Sequence, residues 1–402
     1  MPDQGRSTAS LAFAIAFAPL VALAMLQTGM PVLAPALLEG SGLAPAAYGW
    51  IAGAMGLGSI WLYMANAAFT VALGPVTAML VAALLSAAGT ALVLSGVYAL
   101  MLAGALLVGF GYAATTPAGS QILADHTPRE VRATLFSIRQ AGVPLAGAIA
   151  GAAGSWIATR FGWRFALSGL ALLAVAVAIV LALVPRRFNE ARPRPRFHAP
   201  ALIAIANLWA PFRTIGGSPG LKRLSLVAIG FAVVQGTVNS FFALYATNEL
   251  GLSLVLAGAL YATMQGASVA GRIGLGFVAD RLGSPMPVLR WLSALSALSA
   301  VLLAALTPDW RLWQLAAAMV FMGLSVATWN GLFLAETATI APETVSEAAA
   351  ATTFFVFATY MLTPPLMGLV IQSSGFRTAF IAAAVLAMTS LVALLLPERA
   401  FE

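Results

Sequence analysis

Twelve long apolar runs, separated by short polar breaks, leave this chain lipid as its solvent. They fall at 9–36, 46–70, 76–97, 99–124, 133–158, 164–184, 224–247, 255–278, 287–306, 312–336, 347–371 and 377–396. A helix needs roughly 20 apolar residues to cross a bilayer core. Inside that core only a helix or a closed barrel satisfies its own backbone. Composition agrees: of 402 residues, 61% are hydrophobic and 8% charged, against about 25% charged in soluble domains. The first run starts at Leu11 after a lone Arg6 and passes Met25 with no small-residue cleavage site. It therefore reads as span one and not as a removable leader.

The charge distribution sets the topology. A net charge of +7 would suit nucleic acid, but the basic residues cluster between Arg186 and Arg223, at mid-chain. That is the signature of a cytoplasmic loop under the positive-inside rule. An even number of spans then puts both termini on the same side. The organisation predicted is an all-α membrane protein: a six-helix bundle at 1–187, a linker at 188–220 and a second bundle at 221–402. The first part of the linker is rich in Pro and Arg and reads as extended. Its apolar part, Ala201 to Phe212, reads as a short helix on the membrane surface. There are no cysteines, which excludes disulfides and thiolate metal sites.

The two halves repeat. Gly162 and Gly375 open matching segments, each an aromatic–Arg–Phe pattern entering a helix, 213 positions apart (375 − 162). The helices that follow end at Pro185 and Pro397, and near the start of each half Leu43 matches Leu252 at an offset of 209 (252 − 43).

The segment from Gly271 to Gly283 reads GRIGLGFVADRLG. It holds an arginine inside an apolar, glycine-rich helix and closes on an Asp-Arg-x-Gly turn. It resembles the loop signature of the major facilitator superfamily, Gly-x-x-x-Asp-Arg-x-Gly, matched by Gly276, Asp280, Arg281 and Gly283. The resemblance extends over essentially the whole chain. It implies two pseudo-symmetric six-helix bundles, a substrate site near midplane between them, and alternating access. In that family the turn pairs with charges at neighbouring helix ends and acts as a gate; Glu336, at the end of span ten, is the expected partner of Arg281. Here the first-half copy has lost its charges. The same offset places Val71 and Ala72 where Asp280 and Arg281 stand, and only Gly74 survives. Asp125, Arg129, Glu130 and Arg132 then have no charged counterpart in that loop.

Two arginines stand out inside spans. A guanidinium in hydrocarbon is costly and marks a candidate functional site. Arg139, in span five, lies about 9 Å from the expected helix start, and Arg272, in span eight, about 12 Å from the Asp280 turn, at 1.5 Å per residue. Spans five and eight are neighbours across the halves in the family fold, so both arginines are expected to face one cavity. No Asp or Glu sits in mid-span to neutralise them, which makes an anionic substrate the natural counter-charge. Arg suits bidentate carboxylate recognition. The span-eight arginine is similar to that of oxalate/formate and monocarboxylate transporters, but the span-eleven lysine of the oxalate exchangers is missing. The competing reading is structural: either arginine bonding backbone carbonyls or snorkelling.

Further cavity residues are expected at Gln140, Tyr63, Asn66, Tyr112, Gln235, Asn239, Gln265, Trp329, Asn330 and Tyr360, beside Gln27 and Thr116. Each alone also fits packing or an interhelical hydrogen bond. Gly147 and Gly151 read as a close-packing step. GRIGLG is no nucleotide loop, because it follows no strand. Neither histidine lies mid-span, and no cofactor, metal or nucleic acid is expected. The function predicted is secondary active or facilitative transport of a small organic anion by a monomer in the bacterial inner membrane. Its partners would be the lipid bilayer, the substrate, and a co-transported proton or exchanged anion. The rivals are efflux of hydrophobic compounds and a transporter-like receptor. An enzyme is not indicated, since no nucleophile–base pair lies within the spans.

Overall fold

A computed structural model describes residues 2–127, 135–136, 138–189, 197–204, 206–343, 345–397 and 400. Arg129, Glu130, Arg132 and the expected start of span five at 133 lie outside these residues. Among the described residues ten helices are long and apolar enough to cross a bilayer. The last, Ala348–Leu395, is interrupted at Gly375 (φ 80°, ψ 169°) and comprises spans eleven and twelve. The helix Pro45–Asn66 lies where span two is expected but is not among those ten; counting it, the segments are consistent with the expected twelve.

Span one is longer than its apolar run, Pro2–Ser41, and contains Pro19, Pro31 and Pro35. Spans three to six are Pro75–Leu94, Tyr98–His126, Ile138–Phe161 and Trp163–Ala182. Spans seven to nine are Pro219–Asn248, Leu254–Leu282 and Met286–Ala305. Span ten is broken: Leu312–Val326 stops at Ala327, and Trp329–Ile340 resumes after Thr328. The Thr328 hydroxyl donates back to the Leu324 carbonyl at 2.8 Å, a side-chain bond that competes with the helix and bends it.

The duplication is visible in the backbone. Gly162 (φ 89°, ψ 155°) and Gly375 share one conformation. Gly42 and Gly251, 209 apart (251 − 42), both have φ 65°. Gly74 and Gly283, also 209 apart (283 − 74), turn the chain at φ 84° and 67°. Only glycine takes such values without strain.

Outward faces are apolar: Leu172, Ile179, Val180, Trp291 and Val385 are 59–73% exposed. A soluble protein would bury them, whereas here they meet lipid. The halves meet through spans two and eleven and through spans five and eight, both along the end opposite the linker. A Cβ at Gly49 would lie 2.4 Å from the Pro364 carbonyl oxygen, and one at Gly151 2.7 Å from that of Gly258. Small residues of this kind let helices approach to backbone contact.

The linker helix runs Ala206–Gly216, later than expected, after a short 3-10 turn at Ala199–Ile203. Phe212 packs on Phe354 and Phe355 of span eleven at 5.7 and 5.2 Å, while Trp209 is exposed. The helix is therefore docked on the second bundle as well as presenting an apolar side chain outward. At the linker's start, the Asn189 side chain accepts from the Val76 and Thr77 amides at 3.0 and 3.2 Å.

Candidate functional site

A cavity of about 590 Å³ lies between the halves, within the size range of small-molecule sites. It starts at the buried Tyr48 and Tyr261 and ends at Leu334, Ala349 and Ala350 near the linker end. Leu334 and Ala350 are exposed, so the cavity is blind at the far end and open at the linker end.

Ten of the twelve expected binding residues line it: Tyr63, Asn66 and Tyr112 from spans two and four, Gln140 from span five, Gln235 and Asn239 from span seven, Arg272 from span eight, Trp329 and Asn330 from span ten, and Tyr360 from span eleven. Arg272 is the one charged residue in the lining among the described residues. Its Nε donates to the Ala327 carbonyl at 3.1 Å and its Nη1 to the Gln140 carbonyl at 3.3 Å. The first of these carbonyls is made available by the break in span ten. The second belongs to the opposite half. Gly271 allows this approach, because a Cβ there would lie 2.7 Å from the Thr328 methyl. A guanidinium has five N–H donors in a planar fork. The Nη2 donors carry no protein partner among the described residues.

Arg139 does not face the cavity. It is 1% exposed; its Nε donates to the Ala16 carbonyl of span one at 3.3 Å and its Nη2 to the Thr115 carbonyl of span four. Gly119 makes room for it, since a Cβ there would lie 2.6 Å from Nη2. The reason is helical geometry: successive side chains diverge by about 100° at 3.6 residues per turn, and Gln140 holds the cavity face. Arg139 still acts electrostatically on Tyr63 and Tyr112, and Tyr112 also feels Arg272. Gln265 is likewise displaced. It is buried at the contact of spans five and eight, its Nε2 2.2 Å from where a Cβ on Gly147 would stand.

The wall beside Arg272 is a connected aromatic–amide group. The Gln235 Oε1 accepts from the Trp329 indole at 3.0 Å and from the Tyr360 hydroxyl at 2.7 Å. Trp329 stacks on Phe231, with centroids 5.2 Å apart, and Tyr63 lies 4.7 Å from Phe357. These bonds hold three polar side chains in fixed orientation. The Oδ1 atoms of Asn66 and Asn330 are buried without a protein hydrogen bond.

The expected gate is only partly assembled. Gly283 caps span eight in the left-handed region, its amide donating to the Asp280 carbonyl at 3.2 Å. Asp280 and Arg281 are exposed, and Gly276 faces open space. Glu336 is buried at 7% exposure, but the cation acting on it is Arg223, not Arg281. Span seven brings Arg223 there from a position far off in sequence, which spacing arguments do not reach.

Sequence reasoning missed Tyr48 and Tyr261. The available signal was their 213-residue separation (261 − 48), that of Gly162 and Gly375.

The sequence model of the Major Facilitator Superfamily matches residues 15–358. No curated protein was found to match the sequence. Among solved structures, a bacterial homologue of the human lysosomal transporter Spinster, in an inward-facing and unoccupied conformation, has a TM-score of 0.75 at 18% identity, covering 98% of each chain. The nucleoside transporter NupG has a TM-score of 0.73 at 14% identity, over 96% of this chain and 98% of its own. The peptide transporter POT in complex with sulfate has 0.74 at 15%, over 94% and 93%. Identities this low carry the fold and not the substrate.

Proposed function

The chain belongs to the major facilitator superfamily, and on that premise we propose that it moves a small organic anion, a carboxylate, across the bacterial inner membrane by alternating access. The observation that carries this reading is the charge content of the cavity: one guanidinium, Arg272, amid neutral polar and aromatic side chains, with no acid among the described lining residues. A partly buried cation without a counter-ion is destabilised by desolvation, and pairing relieves it. A carboxylate can accept from Nη2 and, by displacing one of the two carbonyls, take an edge of the fork in two parallel bonds.

The same pairing supports a cycle. Arg272 ties the Gln140 carbonyl of one half to the broken span ten of the other. A carboxylate is a stronger acceptor than a carbonyl, so it competes for those donors and loosens this tie. Neutralising the charge also lowers the cost of enclosing it. The halves 1–187 and 221–402 then rock about the site. With the linker and termini in the cytoplasm, the present state is inward-open. The exposed Asp280–Arg281 turn would engage the end of span ten, Glu336 included, when that side shuts. Net direction, coupling to a proton and exchange of a second anion are set by the substrate in this scheme, because no mid-span carboxylate is available to carry a proton.

Ligand-induced thermal stabilisation of the purified protein tests this. A panel of mono-, di- and aromatic carboxylates should raise the unfolding temperature of wild type and not of Arg272→Gln. Stabilisation only by neutral or cationic compounds, equal in both proteins, would sink the anion reading and favour efflux of hydrophobic compounds through the aromatic wall.

A further inference from the structure

We propose that the blind end of the cavity is a second polar subsite, formed by Tyr48 and Tyr261, that receives a neutral hydroxyl or carbonyl group. The substrate is then two-headed, with an anion at one end and a hydrogen-bonding group at the other. The anionic end rests on the reading of Arg272 given above; the subsite itself does not.

Tyr48 and Tyr261 are 0% and 1% exposed, and both hydroxyls lack a protein partner. The Gln27 Oε1 is in the same condition. All three line the cavity, and the two tyrosines come from opposite halves. Buried tyrosine hydroxyls normally find a partner. Two others in this protein do: Tyr360 donates to Gln235 and Tyr245 donates to the Leu306 carbonyl. Two unpaired hydroxyls at one end of a cavity, with the unpaired Gln27 Oε1 in the same lining, therefore point to a ligand group that completes them.

Geometry gives the ligand its shape. Tyr261 and Arg272 share span eight, eleven positions apart (272 − 261). Eleven residues make just over three whole turns, so the two side chains share a face, about 16 Å apart along the axis. The lining between them mixes the apolar Ala52, Met55 and Val143 with the polar Asn239 and Ser240. An elongated molecule with a polar group at each end fits that separation, and an alkyl chain is the simplest probe of it.

Calorimetric binding to protein in lipid nanodiscs tests the subsite with two probe pairs: ω-hydroxyoctanoate against octanoate, and octanediol against octanol. Wild type should bind the hydroxyl-bearing member of each pair about tenfold more tightly, the effect of one or two added hydrogen bonds. Tyr48→Phe combined with Tyr261→Phe should erase that advantage and leave octanoate affinity unchanged. The single variants, each lacking one oxygen, serve if the pair unfolds. In Arg272→Gln both carboxylates should weaken while octanediol keeps its advantage over octanol. An absent advantage in wild type, or one that survives removal of the hydroxyls, overturns the subsite. Carboxylates binding no better than alcohols, with a tyrosine-dependent octanediol advantage, would leave the subsite standing and remove the anion reading instead.

Discussion

Two arginines that look alike in sequence do different things. Arg139 spends its donors on carbonyls of spans one and four, and Arg272 keeps donors for the cavity. Hydrogen bonds from a charged group contribute about 1.5–3 kcal/mol each. Arg139→Met, which keeps much of the stem, is expected to lower stability by about 2–4 kcal/mol. The measurement is the unfolding temperature with and without a stabilising carboxylate. The midpoint should fall while the ligand-induced increment persists. Loss of the increment with no fall in the midpoint would put Arg139 in the binding site after all. Composition showed that two buried guanidiniums needed acceptors; it did not show that backbone carbonyls would be the acceptors for one of them.

At the scale of elements, the breaks matter more than the helices. The interruption of span ten at Ala327 presents a carbonyl to Arg272 and places Trp329 and Asn330 in the cavity. The start of span three has a related solution. Gly74 supplies no side-chain cap there, and Asn189 reaches over from the linker to accept from Val76 and Thr77, its Nδ2 also donating to the Thr77 hydroxyl at 2.8 Å. The loop that lost its gate charges is thereby stitched to the linker by neutral hydrogen bonds. Replacing a capping side chain by Ala costs about 1 kcal/mol. Asn189→Ala should lower the unfolding temperature modestly and speed tryptic cleavage at Arg186 and Arg187. Unchanged cleavage would mean that the linker is held by other contacts, such as the Trp61 indole on the Leu202 carbonyl at 2.8 Å.

For the whole molecule, the close glycine contacts of span two with eleven and of span five with eight shut one end, and the cavity opens at the other. In the proposed cycle a rocking motion brings the open walls together. Ser120 and Ala350 line the cavity from opposite halves, and the chain has no native cysteine. Spin labels at Ser120→Cys and Ala350→Cys should therefore report a shorter distance when a saturating carboxylate is added, and no change in the Arg272→Gln background. A distance indifferent to ligand in wild type would argue against two rigid halves.

What the sequence determined by itself was what can be read at short range or by periodicity. Long apolar runs impose membrane helices whatever their neighbours are, and the glycine pairs at offsets of 209 and 213 imply a duplicated unit. The Gly276–Gly283 turn and the lone mid-helix Arg272 are local patterns as well. Rotation about each helix axis was a different matter. Almost uniform hydrophobicity leaves little amphipathic signal to say which face looks inward. Only packing decided that Gln140 faces the cavity and Arg139 does not, that Gln265 fills the space above Gly147, and that Arg223 rather than Arg281 stands by Glu336. Tertiary structure also decided that Tyr48 and Tyr261, from separate halves, line one cavity, because the repeat offset marks them as counterparts while only the docking of the two bundles brings them to a common space.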